Sequence, residues 1–283
     1  MTTAQNEVHL EDFGNIFSLD GKVAVVTGGS RGLGLYAASG LLQAGCSKVF
    51  ITSRKAQACQ EAVDALNALP SKRPGAQAIS IPADSASISE LERLATEISK
   101  HTDHVDILFA NAGATWGAPF GKHPPDAFTK VLNLNVKSIY YTVQMLHPLL
   151  TRNATTANPS RVIINASAAG IGVGSLGENA THAYSVSKAA AIHLAKILAV
   201  ELGPQGVVSN AICPGFYPTK LAAGLIEATG GRAAQAARAP NNRLGEPEDM
   251  AGLVVFLASR ASVHINGAVI STDGGAIHGS SKL

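Results

Sequence analysis

Charge, aromatic rings and sulfur are all scarce in this chain of 283 residues: 15% is charged, 5% is aromatic, and there are one tryptophan and three cysteines. Lys and Arg number 22 against 20 Asp and Glu, a formal net charge of +2, so no basic footprint argues for a nucleic-acid partner. Cys46, Cys59 and Cys213 lie far apart, with neither C-x-x-C spacing nor the density of a disulfide framework, which implies reduced thiols inside a cell. No segment supplies the roughly 18 uninterrupted apolar residues of a membrane span. Residues 1–20, with Glu7, Glu11 and Asp12, lack the apolar run of a secretory signal. The sequons at Asn153 and Asn179 are therefore not expected to be glycosylated. The histidines form no His-Glu-x-x-His pair and no cluster with cysteine, so no metal site is expected. His182, two residues before Tyr184, is either a substrate contact or an ordinary surface histidine.

Glycine and small aliphatic residues are plentiful instead, with 28 glycines and 46% hydrophobic residues. That profile suits an α/β domain built on a buried parallel sheet. Strands are predicted at Lys22–Thr27, a valine-rich run, and at Val49–Thr52, Ala78–Pro82, Val105–Ala110, Arg161–Ala166, Val207–Ile212 and Ala268–Ser271. Between them run helical patterns at Gly34–Ala44, up to Leu69, Ile88–Lys100, Asp126–Leu150 (interrupted at Pro148), Thr181–Leu202 and Pro247–Ser259. Strands and helices alternating this regularly imply parallel strands with right-handed crossovers. The expectation is one Rossmann-type, doubly wound sheet of about seven strands with helices on both faces. An N-terminal extension covers residues 1–20, the domain residues 21–277, and a tail residues 278–283.

Where the first strand gives way to a helix, the chain reads Thr27-Gly-Gly-Ser-Arg-Gly-Leu-Gly34. Glycines at 28, 32 and 34 let the chain turn tightly and let its backbone approach a pyrophosphate, which the N–H groups of the new helix then face. The spacing departs from the standard G-x-G-x-x-G fingerprint. Further motifs follow in order: Asp84 after the third strand, Asn111-Ala-Gly113, Asn135, Ser167, Tyr184-x-x-x-Lys188, Asn210-Ala-Ile-Cys-Pro-Gly215 and Asp273-Gly-Gly275. Together, over residues 17–275, the series resembles the short-chain dehydrogenase/reductase family, and within it the β-ketoacyl reductase-like members.

The second strand ends Ser53-Arg54-Lys55, without the acidic residue that NAD-binding versions of this fold place about 20 residues past the glycines. With Arg31 in the glycine turn, the cationic groups suit an adenosine 2′-phosphate, which predicts NADP(H). The alternative, that Arg54 and Lys55 are a solvated helix start, is opposed by the helix dipole. The resemblance assigns Gly28, Ser30, Arg31, Gly32, Leu33, Gly34, Ser53, Arg54 and Lys55 to the cofactor, Asp84 to the adenine, and Asn111 and Gly113 to the adenosine ribose. It assigns Pro214, Gly215 and Thr219 to the nicotinamide side.

Tyr184 and Lys188 are four apart in a helical pattern and so share a face. An ammonium beside a phenol favours the phenolate and lowers its pKa, which improves proton transfer near neutrality. Ser167 ends the fifth strand at the carboxyl edge, where its hydroxyl can bond a substrate oxygen. Ser175, Ser185 and Ser187 are rivals, and the resemblance selects Ser167. It also implies that Asn135 (rather than Asn133) holds a water linking Lys188 to solvent, and that Lys188 positions the nicotinamide ribose. The implied activity is NADPH-dependent reduction of a small-molecule ketone, such as a β-ketoacyl thioester, a polyketide or a sugar-derived ketone. Tyr184 serves as proton donor.

One departure concerns the separation of Ser167 from Tyr184, which is longer than is usual in the family. The excess falls in the glycine-rich stretch 170–178, which should border the substrate, and residues 217–242 should form a lid. The resemblance implies a homotetramer or homodimer. The terminal Ser281-Lys282-Leu283 matches a receptor-read peroxisomal address, which predicts import by the peroxisomal receptor, with the cytoplasm as the alternative. Rival readings are a peroxisomal enoyl- or dienoyl-CoA reductase and a catalytically silent NADP(H)-binding sensor.

Overall fold

The structure is a computed structural model that describes Ala4 and residues 7–279. Seven strands form one sheet: β1 (Val23–Thr27), β2 (Lys48–Thr52), β3 (Gln77–Ser80), β4 (Ile107–Ala110), β5 (Ser160–Asn165), β6 (Val207–Pro214) and β7 (Val269–Thr272). Their order is β3-β2-β1-β4-β5-β6-β7, and every pair is parallel. The helices are α1 (Gly32–Gln43), α2 (Ala56–Asn67), α3 (Ile88–Ser99), α4 (Pro125–Leu132), α5 (Ser138–Thr151), α6 (His182–Leu202), α7 (Lys220–Ala228), α8 (Gly231–Arg238) and α9 (Pro247–Ala258).

Successive side chains of a strand point to opposite faces, and the core divides accordingly. Val25, Leu108, Val162 and Val207 pack with Leu91 and Leu94 of α3, Val143 of α5 and Ala195 of α6. On the other face Ala24, Val26, Phe109 and Ile163 pack with Leu41 of α1, Val63 of α2 and Val254 of α9. Strands buried on both sides read as continuous apolar runs, which is why they are legible in the sequence. The strand order reverses between β1 and β4, so a crevice opens beyond their carboxyl ends, where Gly28 and Asn111 follow.

The long helical pattern at 126–150 departs from expectation. It is broken not at Pro148, which lies inside the last turns of α5, but by a π-helical turn over Asn133–Lys137. Pro148 removes only one helical hydrogen bond near the helix end. The wide turn is held by the side chain of Asn135, described below. Helix α1 also starts two residues earlier than expected, at Gly32. The stretch before the sheet joins the domain sooner than its assignment as an extension implies: Leu19 is fully buried and its N–H donates to the Ala44 carbonyl at 2.9 Å.

Candidate active site

The glycine turn is built around contacts that leave no room for side chains. Gly28 and Gly32 have φ of 63° and 54°, the left-handed region that disfavours other residues. A Cβ on Gly34 would lie 2.4 Å from the Gly28 carbonyl oxygen and 2.5 Å from Asn111 Nδ2. Asn111 therefore has a task beyond the one expected of it. Its Nδ2 donates to the carbonyls of Thr27 at 3.0 Å and Gly28 at 3.1 Å. Its backbone N–H and that of Ala112 both donate to the Thr27 hydroxyl at 3.0 Å. Asn165 Nδ2 in turn donates to Asn111 Oδ1 at 2.7 Å, so the ends of β1, β4 and β5 are tied together.

Beside this turn the Ser53 hydroxyl donates to that of Ser30 at 3.0 Å, joining the end of β2 to the turn. Arg31, Arg54 and Lys55 are exposed, and among the described residues no carboxylate pairs with them. Lys55 occupies the N-cap of α2 without a capping bond, and no acid sits in that helix's first turn. Asp84 accepts from the Ala86 N–H at 3.0 Å and shares a cleft of about 320 Å³ with Arg54 and Asn133. Leu33 packs against the core. Thr219 precedes α7, and its methyl lies 3.3 Å from where a Cβ on Gly32 would be. Pro214 ends β6, and the Gly215 N–H donates to the Thr272 carbonyl at 3.1 Å. The strand and loop ends named from the sequence thus gather along one edge of the sheet.

Helix α6 places Tyr184 and Lys188 one turn apart, with the Lys188 ammonium 5.5 Å from the Tyr184 ring centroid. Lys188 is 4% exposed, donates to the Asn165 carbonyl at 2.6 Å, and is pushed down to about 8, chiefly by burial. Tyr184 does not follow expectation. Burial pushes its phenol up, and the opposing influence is the hydrogen bond with the Ser167 side chain, not the ammonium. Burial outweighs the ammonium because Lys188 directs its proton to Asn165 and lies above the ring rather than at the hydroxyl.

The lengthened loop does not separate Ser167 from Tyr184: both side chains line the same cleft, and the serine influences the phenol. Ser167 Oγ also accepts from the Ala169 N–H at 3.2 Å, which fixes the turn after β5. The loop folds outward instead, carrying Val173 at 82% and Leu176 at 64% exposure. Of the rival serines, Ser187 donates to the Tyr184 carbonyl at 2.7 Å and accepts from Asn135, so it faces the helix interior. Ser175 lines the cleft.

Asn135 is fully buried in the π turn. Its Oδ1 accepts from the Ala114 N–H at 2.8 Å, and its Nδ2 donates to the Ala114 carbonyl and to Ser187 Oγ, both at 2.9 Å. The side chain expected to hold a water is thus engaged with protein atoms, and it clamps the loop after β4 against α6. A Cβ on Gly113 would lie 3.2 Å from Asn135 Oδ1 and 3.7 Å from Lys188 Nζ, so this loop passes directly over the pair.

From Ser167 and Tyr184 a cleft of about 1230 Å³ runs beneath α7 and α8. Leu221, Leu225 and Ala228 form one wall, and Ala168, Ala169, Val173 and Phe216 surround the serine end. Three polar residues were not singled out in the sequence. Asn165 was signalled by its polarity at the end of an apolar strand, and Thr27 by its place before the glycines. Gln235, buried in α8, carried no signal. Among the described residues no group of His, Cys, Asp and Glu could hold a metal ion, and no helix is long and apolar enough to cross a membrane.

Comparison with known proteins adds to this geometry. Residues 28–277 match the family model described as Enoyl-(Acyl carrier protein) reductase. The chain is 41% identical over 259 residues to the rhamnolipids biosynthesis 3-oxoacyl-[acyl-carrier-protein] reductase of Pseudomonas aeruginosa, covering 92% of this chain and 97% of that one. It is 32% identical over 282 residues to the short-chain dehydrogenase/reductase PhomF of Diaporthe leptostromiformis, covering 92% and 93%. Among solved structures, the Pseudomonas aeruginosa RhlG/NADP active-site complex superposes with a TM-score of 0.85 at 40% identity, covering 93% and 99%. A gluconate 5-dehydrogenase from Burkholderia cenocepacia, in complex with NADP and tartrate, gives 0.82 at 25% identity, covering 93% and 98%.

These findings correct the expected peroxisomal location. The Pseudomonas and Burkholderia relatives belong to bacteria, which have no peroxisome, and the similarity points to the cytoplasm. The residues Ser281-Lys282-Leu283 on which that expectation rested lie outside the described ones. The peroxisomal form of the enoyl- or dienoyl-CoA reading falls with it.

Proposed function

The chain belongs to the short-chain dehydrogenase/reductase family, and from that premise we propose that it is an NADPH-dependent ketoreductase acting on a β-ketoacyl thioester or a similarly uncharged ketone. The observation that carries this reading is that the Ser167 and Tyr184 side chains meet at the head of an apolar cleft, close enough for the serine to lower the phenol's pKa against the effect of burial. Two hydroxyls meeting at one point suit a single carbonyl oxygen, one holding it and the other protonating it.

The residues at the sheet edge fit the cofactor. The turn is a cradle that a Cβ on Gly34 would fill, the guanidinium of Arg54 has no carboxylate partner, and Asn165 Oδ1 is a buried acceptor without a protein donor. Backbone N–H groups at the start of α1 take the pyrophosphate, while Arg31, Arg54 and Lys55 with Ser30 and Ser53 take the 2′-phosphate. Asp84 lies at the adenine end, Asn111 and Gly113 at the adenosine ribose, and Pro214, Gly215 and Thr219 at the nicotinamide side. NADPH, when bound, supplies the hydride.

The protein's own groups manage the proton. A phenol raised by burial stays protonated at neutral pH and gives its proton to an oxygen that is gaining charge. Lys188, pushed down to about 8 by burial, can change protonation state near neutral pH beside the Tyr184 ring, and so acts as the proton reservoir of the site. Asn135 holds the loop after β4 in place over this pair. Helices α7 and α8, within residues 217–242, act as a lid, since each buries a single side chain, Ile226 and Gln235.

The surroundings of Ser167 favour an uncharged substrate over a sugar acid. Arg243 is held by Asp249 at 2.8 Å, and the other arginine of the lining, Arg238, stands at the exposed end of α8, while the residues around Ser167 are mostly small and uncharged, Ala168, Ala169, Gly172 and Val173. Assembly as a homodimer or homotetramer is supported by apolar side chains exposed on α5 and α6, including Tyr140, Val186, Ile197 and Val200. The decisive experiment follows NADPH oxidation by wild type and Tyr184→Phe over a ketone panel that includes acetoacetyl-CoA. A loss of 100-fold or more is expected, on the order of a general acid's usual contribution. Turnover that survives the substitution would sink the proton assignment. NADPH binding with no carbonyl turned over would leave a sensor.

A further inference from the structure

The lid contributes one polar side chain to the cleft that the chemistry above does not use. Gln235 lines the cleft and is 2% exposed. Its amide orientation is set by its neighbours. The Thr229 hydroxyl donates to the Leu225 carbonyl at 2.5 Å, which leaves its oxygen as an acceptor. Gln235 Nε2 donates to that oxygen at 2.6 Å and to the Thr229 carbonyl at 3.2 Å. Turning the amide over would set its oxygen against the Thr229 carbonyl, so the orientation is unambiguous. Oε1 is then directed away from Thr229, is buried, and has no protein donor. Folded proteins keep few such groups, and those they keep call for a partner.

We propose that Gln235 is a specificity-determining residue whose Oε1 accepts a hydrogen bond from the amide N–H of a pantetheine-type arm, so that the substrate is a β-ketoacyl thioester carried on such an arm. This rests on the ketoreductase reading of Ser167 and Tyr184. The partner must be a donor, because an amide oxygen only accepts. It must also be uncharged or cationic, because a carboxylate facing Oε1 itself would be repelled; Leu225, Ala228 and Ala239 supply aliphatic contacts beside it, and the exposed Arg238 also lines the cleft. A sugar acid brings a carboxylate to this wall. A thioester arm brings a neutral N–H between methylene groups, which matches one acceptor set among aliphatic side chains. The acceptor, on α8, and the hydroxyls, in the turn after β5 and on α6, line one cleft, so one molecule can engage both.

The test compares two thioesters that differ in that N–H: acetoacetyl-N-acetylcysteamine, which has it, and S-ethyl acetothioacetate, which lacks it. With wild type, KM for the first is expected to be about tenfold lower at similar kcat, the effect of one hydrogen bond to an otherwise unpaired group. Gln235→Met keeps the side chain's length but removes both the acceptor and the Nε2 bonds to Thr229, so the readout is the ratio of the two KM values, which should fall from about tenfold to about one. A purely structural role for Gln235 would shift both substrates together, and that result overturns the proposal. Equal KM values with wild type overturn it as well, while leaving the ketoreductase reading intact. Turnover of neither thioester, with other ketones reduced, removes the thioester assignment and the Gln235 proposal together.

Discussion

Replacing Lys188 by Met is expected to make the protein more stable at neutral pH while abolishing carbonyl reduction. The ammonium is 4% exposed, and its acceptor is the Asn165 carbonyl, with no carboxylate paired to it among the described residues. Burial lowers it from 10.5 to about 8. At about 1.4 kcal/mol per tenfold change in proton affinity, that drop amounts to roughly 3 kcal/mol held against folding wherever the group is charged in both states. Methionine keeps a similar unbranched stem and leaves the Asn165 carbonyl without this donor, a loss of about 1–2 kcal/mol. The balance is a gain of about 1–2 kcal/mol, or roughly 5 °C in Tm for a domain of this size.

The pH dependence separates this explanation from better packing alone. Below pH 8 the folded wild type carries the buried charge and bears the whole penalty. Between about 8 and 10.5 the unfolded chain still binds the proton that the folded one has released, so wild-type stability climbs with pH. Above 10.5 both states are neutral and the penalty is gone. Urea unfolding of the NADPH-free proteins at pH 7, 9 and 10 should therefore show the gap between Lys188→Met and wild type narrowing as pH rises. A wild type more stable than the variant at pH 7 would refute the reasoning, as would a gap that does not move.

Two further substitutions address the cofactor end. Arg54→Ala should raise KM for NADPH about tenfold or more, through loss of a charge-assisted contact to the 2′-phosphate, and leave KM for NADH unchanged; a wild type that prefers NADH would refute the charge argument. Gly34→Ala should abolish measurable NADPH binding by calorimetry and lower stability by about 2–4 kcal/mol, because the added methyl would meet the Gly28 carbonyl and Asn111 at 2.4 and 2.5 Å. NADPH affinity within twofold of wild type would mean that the turn relaxes freely.

The sheet was legible because its inner strands, β1, β2, β4, β5 and β6, are buried on both faces and so read as apolar runs, most of them ended by glycine, serine or asparagine. The turn at 28–34 and the Tyr184–Lys188 spacing were legible because they are local, set by one strand exit and one helical turn. What eluded the sequence is what long-range contacts decide. The π turn at Asn133–Lys137 has no local signature, since it exists because Asn135 reaches Ala114 and Ser187 from other elements. Pro148 misled for the complementary reason: a helix breaker by propensity is tolerable near a helix end. The pKa of Tyr184 was expected to fall because four-residue spacing speaks for proximity to an ammonium, and it says nothing about burial. The lid was anticipated only as an alanine- and glycine-rich region. Its buried glutamine is defined by Thr229 and the cleft, not by any pattern around position 235.

The hydrogen bonds explain why the two halves of the site differ in rigidity. Lys188 holds the Asn165 carbonyl, Asn165 holds Asn111, and Asn111 holds the Gly28 carbonyl at the head of the turn. Lys188 and the glycine turn thus share one continuous network, seated on the ends of β1, β4 and β5. Loosening any link exposes unpaired polar groups in an apolar core, so this half has one well-defined arrangement. The cleft wall opposite is of another kind, with α7 and α8 each fastened by a single buried side chain. Such weakly held elements open at low cost. On the proposed ketoreductase reading, a scaffold built this way would keep hydride and proton geometry constant and leave the choice of ketone to the weakly held wall, where Gln235 holds its unmet acceptor.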